Sequence, residues 1–96
     1  MNIKIDTVHF DADKKLIEFI EKKINKVARK SSDIISADVV LRLDKSETNE
    51  NKIAEIRFEV PGNDLFAKKQ AKTFEEGVDS ALSALEKQME RYKNKR

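Results

Sequence analysis

The chain has 96 residues, with 20 Lys and Arg against 18 Asp and Glu, a formal net charge of +2 and no cysteine. That length predicts one domain, 1–96, with a single modest core. The composition excludes a disulfide framework or a thiolate metal site, and no apolar run approaches the ~20 residues of a membrane-spanning helix. Charged residues form 40% of the chain, well above ordinary usage, so a soluble domain with a heavily charged surface is expected. The N-terminus, MNIKIDTVHF, alternates and forms no signal-peptide block, which points to a cytoplasmic location.

In chain order, residues 3–8 alternate, with Ile3 and Ile5 on one face and Lys4 and Asp6 on the other, the pattern of a half-buried strand. Asp11 or Asp13 can cap the helix that follows. From Lys14 to Lys30, Leu16, Ile17, Ile20, Ile24 and Val27 recur at helical spacing and make one apolar stripe. Ala37, Val39, Leu41 and Leu43 then alternate with Asp38, Val40, Arg42 and Asp44 in a second strand. KSETNENK, 45–52, is polar and reads as a mobile hairpin loop. Ala54, Ile56, Phe58 and Val60 alternate with Glu55, Arg57 and Glu59 in a third strand. Pro61-Gly62-Asn63-Asp64 is a turn signal, and Leu65 to Ala71 is a short fourth strand interrupted by Lys68 and Lys69. Thr73 with Glu76 three residues on forms a capping box. It opens a second helix with Phe74, Val78, Ala81, Leu82, Leu85, Met89 and Tyr92 on one stripe. The order β-α-β-β-β-α predicts a two-layer α+β domain, in which two helices cover one face of a four-stranded sheet. The first helix is a crossover that returns its strand parallel, and the hairpins are antiparallel. Ile5, Ile20, Ile24, Leu41, Phe58, Val78, Leu82 and Leu85 are the expected core.

The net charge is small, so its distribution decides what the surface can meet. At 100° per residue, one flank of the first helical stripe carries Lys15, Lys23, Lys26 and Lys30, and the other carries Glu18 and Glu21. The matching flank of the second helix carries Gln88, Arg91 and Lys95, with Lys87 just beyond. Asp79, Glu86 and Glu90, relieved by Lys93, lie opposite. Both helices thus separate their charges in the same rotational sense. Helix dipoles and solvation alone account for a lysine-rich helix end. However, Lys23, Lys26 and Lys30 place like charges one turn apart, an arrangement that costs a few tenths of a kcal/mol and suits a polyanion. The chain has one histidine, His9, at a strand end, and two glycines, Gly62 and Gly77. It therefore offers no metal set, no phosphate loop and no nucleophile–base pair. The reading is of a non-enzymatic protein without a cofactor.

Several segments resemble the short ribosome hibernation-promoting factors and the related ribosome-associated translation inhibitors of bacteria. They are ADVVLRL at 37–43, EVPGNDLFAK at 59–68 and, above all, TFEEGVDSALSALEKQMERYKNKR. In the last of these Val78-Asp79, Leu85, Lys87-Gln88-Met89, Arg91, Lys93 and Lys95 fall in register with the family's closing helix. Lys23 and Lys26 stand where the family carries paired basic residues. Ala84 departs from a usual lysine, and Glu75 from a common aromatic. The resemblance implies a fold like a double-stranded-RNA-binding domain with an added strand. It also implies binding to the small ribosomal subunit near the decoding centre, where the protein overlaps the paths of mRNA and of A- and P-site tRNA and reversibly stops translation in starved cells. The implied rRNA contacts are Lys23, Lys26, Lys87, Arg91 and Lys95, followed by Lys22, Lys30, Lys93 and Arg96. No membrane or small-molecule substrate is implied. Two other readings are a generic RNA-binding module not tied to the ribosome and a protein-interaction domain with solvated helices. An RNA-recognition motif would need aromatics on the open sheet face, where Lys4, Asp6, Arg42, Glu55, Arg57 and Glu59 are expected instead.

Overall fold

The computed structural model describes residues 1–45 and 49–94. It runs β1 (Asn2–Val8), α1 (Lys14–Ala28), β2 (Ser36–Leu43), β3 (Lys52–Val60), β4 (Asn63–Ala71) and α2 (Phe74–Asn94), the order read from the sequence. The expected mobile loop 45–52 falls partly on residues 46–48, outside the described residues; Lys52 already belongs to β3.

Local chemistry sets the element ends. Asp13, rather than Asp11, caps α1, and its carboxylate accepts from the Leu16 N–H at 2.8 Å. At α2 the Thr73 hydroxyl accepts from the Glu76 N–H at 3.1 Å, the threonine half of the expected capping box. His9 sits exposed in the β1–α1 link with φ at 71°. The β3–β4 turn is tighter than the predicted four residues. Val60 pairs with Asn63, so only Pro61 and Gly62 connect the strands. Proline followed by a glycine at φ 77° is the order a type II turn uses, and Asn63 and Asp64 are freed to extend β4.

The sheet order is β1-β2-β3-β4, with β1 parallel to β2 and the other pairs antiparallel. Strand alternation sends Ala37, Val39, Leu41, Ala54, Ile56, Phe58, Leu65 and Ala67 to one face. There they share one core with Ile20, Ile24 and Val27 of α1 and with Val78, Ala81, Leu82, Leu85 and Met89 of α2. Each large side chain buried in that core contributes about 1.5–3 kcal/mol. Seven of the eight expected core residues are buried. The exception is Ile5, which is half-buried because β1 is an edge strand with no neighbour on its far side. Gly77 lets α2 lie close to the sheet: a Cβ there would meet the Ala54 Cβ at 3.3 Å and the Ala71 Cβ at 3.9 Å.

The two helices run parallel, since their contacts ascend together: Lys23 meets Asp79, and seven residues on in each segment, Lys30, just past the end of α1, meets Glu86. Two contacts tie the ends of α2 down. Phe10, in the β1–α1 link, stacks on Phe74 with ring centroids 4.6 Å apart. The Tyr92 hydroxyl donates to the Pro61 carbonyl at 2.9 Å.

Candidate nucleic-acid interface

Parallel helices with charges separated in the same rotational sense have one geometric consequence when they lie side by side. The basic flank of one must face the acidic flank of the other. The structure shows this seam. Lys23 Nζ lies 3.4 Å from Asp79 Oδ1, and Lys30 Nζ lies 3.6 Å from Glu86 Oε2. Lys93 Nζ crosses the seam to donate to the Lys30 carbonyl at 3.3 Å. Lys26 lines the same groove, of about 210 Å³, with Lys23, Lys30, Asp79, Ser83 and Glu86. Lys23 also lies 5.4 Å from the centre of the Phe19 ring.

The seam pairs are wet. The Lys23 and Asp79 side chains are 40% and 54% exposed, and exposed pairs contribute about 0–1 kcal/mol each. A phosphate has a stronger claim on Lys23 and Lys30 than a solvated carboxylate, because it adds charge-assisted hydrogen bonds to several ammonium groups at once. The seam therefore holds lysines loosely in place.

On the other side of α2 a second basic group surrounds a shallow depression of about 600 Å³. It is lined by Ser80, Ser83, Ala84 and Gln88, by Lys87, Arg91 and Lys69, and by Asp79, which also lines the seam groove. Among the described residues, Lys26, Lys87 and Arg91 form no ion pair. Sequence reasoning missed Lys69, treating it as an interruption of β4. The signal was present in the alternation: Leu65, Ala67 and Lys69 point the same way, and Lys69 pairs in register with inward-facing Ala54. It emerges at the sheet edge beside α2. Gln88 also differs from its place on the predicted basic flank. Its Nε2 donates to the Phe66 carbonyl at 2.8 Å and its Oε1 accepts from the Phe66 N–H at 3.3 Å. The side chain is thereby committed to the free edge of β4.

Of the nine residues expected to meet rRNA, Lys23, Lys26, Lys30 and Lys93 gather at the seam, and Lys87 and Arg91 at the depression. Lys22 is exposed on α1, one turn before Lys26. Lys95 and Arg96 lie outside the described residues.

On the opposite face of the sheet most charges stand beside opposite charges, the exception being Glu59 opposite Asp64. Register sets Lys4 beside Asp38, Asp38 opposite Arg57 and Glu55 opposite Lys68. Arg42 Nε lies 3.5 Å from Glu55 Oε2. One aromatic that sequence reasoning did not place on this face is there: Phe66 is 44% exposed, with Arg57 lying 5.8 Å from its ring centre. A single covered ring is not the platform on which an RNA-recognition motif stacks successive bases. The unmatched positive charge therefore lies on the helical side. Lys and Arg there can neutralise phosphates, and this requires no reaction.

Comparison with known proteins agrees with the fold. The family model described as Sigma 54 modulation protein / S30EA ribosomal protein matches residues 3–96. A search among curated proteins finds no match. Among solved structures, a ribosomal subunit interface protein from Coxiella burnetii is similar with a TM-score of 0.87 at 23% identity, over 98% of this chain and 99% of that one. The N-terminal domain of Protein Y from Thermus thermophilus is similar with a TM-score of 0.81 at 26% identity, over 96% and 99%.

Proposed function

The chain belongs to the Sigma 54 modulation protein / S30EA ribosomal protein family, and we propose that it is a ribosome-binding inhibitor of translation that acts by occlusion. The helical layer docks on rRNA of the small subunit near the decoding centre, where the bound protein fills space that mRNA and tRNA need. Inhibition is reversible because nothing is cut or modified. The physiological setting is the cytoplasm of starved or stationary-phase cells.

The observation that carries this reading is the distribution of unpaired cations. Among the described residues, Lys26 and the pair Lys87–Arg91 lie on the helical layer without carboxylate partners, whereas on the sheet face Arg42 is paired with Glu55 and Arg57 and Lys68 stand in register beside Asp38 and Glu55. Lys26, Lys87 and Arg91 are assigned as primary phosphate contacts. Lys23 and Lys30 exchange Asp79 and Glu86 for phosphate on binding. Lys22, Lys93, Lys95 and Arg96 are assigned as peripheral contacts.

Co-sedimentation of the purified protein with small subunits on sucrose gradients tests the reading. Binding that weakens steeply with salt, together with competition by mRNA and initiator tRNA, is expected. Equal retention by unrelated structured RNA would point to a generic RNA-binding module. Failure to co-sediment at low salt would leave a protein-interaction domain. Persistent rRNA cleavage or modification after the protein is washed away would exclude occlusion as the mechanism.

A further inference from the structure

The two edges of the sheet are finished differently. On β4, Gln88 occupies the outward N–H and C=O of Phe66 and so blocks the position a further strand would need. On β1, among the described residues, no group hydrogen-bonds to the free side of the strand. Half of its backbone donors and acceptors therefore face water, and an edge of this kind is a template for another strand. We propose that the β1 edge docks a second copy of this chain, as an antiparallel β1–β1 pair about a two-fold axis through Ile5.

The register follows from charge. In an antiparallel pair, opposed side chains share a face, so a symmetric pair is centred on a residue. Centring on Lys4 sets two lysines against each other, and centring on Asp6 sets two aspartates against each other. Centring on Ile5 sets Lys4 against the partner's Asp6 and Asp6 against the partner's Lys4. It also sets Ile3 against the partner's Thr7, and Ile5 against the partner's Ile5. This centre is the midpoint of Asn2–Val8, so the strands overlap along their whole length with no overhang.

Lys4 and Asp6 are 72% and 57% exposed and 3.9 Å apart within one chain; pairing converts that weak contact into a four-membered alternation of charge. It also covers Ile5, the one expected core residue left half-buried. A lysine on an edge strand ordinarily discourages pairing. Here charge rejects the two neighbouring symmetric registers, and the shorter overlap disfavours those centred on Ile3 or Thr7. The interface is isologous, so pairing uses the same edge of both copies and closes at two.

Sedimentation velocity on the full chain, from micromolar to near-millimolar concentration, tests this directly. The expected result is a reversible monomer–dimer equilibrium. Lys4→Asp alone, or Asp6→Lys alone, sets like charges against each other twice and weakens the dimer by about tenfold or more. An equimolar mixture of these two variants restores it, since the wholly acidic edge of one chain then meets the wholly basic edge of the other at both positions. Restoration by mixing also shows that both variants are folded. A monomer at all concentrations overturns the proposal. So does a dimer that withstands both single changes, or variants that mixing does not rescue.

Discussion

Lys87 and Arg91 carry the sharpest residue-scale expectation. Neither has a carboxylate partner among the described residues, and net charge-assisted contacts are worth about 1.5–3 kcal/mol each. Lys87→Glu with Arg91→Glu is therefore expected to weaken small-subunit binding by at least about a hundredfold, measured by co-sedimentation after circular dichroism shows the variant folded. Near wild-type binding by the folded variant would reduce the basic end of α2 to a solvated helix terminus. Gln88 has a different role. Its two hydrogen bonds to Phe66 are exposed, and exposed neutral bonds of this kind contribute about 0.5–1.5 kcal/mol. Gln88→Ala is expected to lower stability by about that amount and to speed hydrogen exchange at the Phe66 amide. Unchanged exchange there would mean that Gln88 does not protect the edge.

At the scale of elements, the seam between α1 and α2 makes a prediction that a simple count of basic residues does not. Asp79 and Glu86 hold Lys23 and Lys30 and compete with phosphate for them. Asp79→Asn with Glu86→Gln is expected to tighten rRNA binding, by up to about fivefold for each pair released. The same change lowers stability by no more than about 1 kcal/mol per pair. Weaker binding on loss of these carboxylates would show instead that they orient the lysines productively. The packing beneath the seam is less forgiving. Leu85 is fully buried between α2 and the sheet, and Leu85→Ala is expected to cost about 2–5 kcal/mol, a large share of a small domain's stability. Thermal or urea unfolding measures it, and an unmoved midpoint would mean that the core lies elsewhere.

For the whole molecule, two faces of contrasting charge imply directional docking. Adding positive charge to the sheet face, by Asp38→Lys with Asp64→Lys, is expected to leave specific small-subunit binding within a few fold, although it changes total charge as much as the α2 reversal does. Both positions are exposed, and neither takes part in the Arg42–Glu55 pair. Wild-type affinity is expected to fall linearly on a log–log plot against salt, and each phosphate contact removed is expected to reduce the slope by roughly 0.7–0.9. Equal losses from sheet and helix variants would mean that net charge, and not its placement, drives binding.

Periodicity along the chain was sufficient for the element order, the crossover, the inward faces of β1, β2 and β3 and the apolar stripe of each helix. Burial acts on individual side chains at fixed spacing, so these features are legible one element at a time. The candidate cations were legible for the same reason, as positions on a wheel. Their neighbours were not. That Lys23 and Lys30 meet Asp79 and Glu86 depends on the two helices being parallel and adjacent, a relation set by the parallel β1–β2 pairing and by the two consecutive hairpins that separate the helices in the chain. Lys69 joins Lys87 and Arg91 only because β4 is the edge strand under the outer flank of α2. Gln88 turns from a basic flank to a backbone edge for the same reason. Ile5 stays half-buried because the sheet ends at β1. A residue's direction from its own element follows from local spacing, but what it meets there depends on the tertiary arrangement, since electrostatic and hydrogen-bonding partners come from segments whose proximity no local pattern encodes.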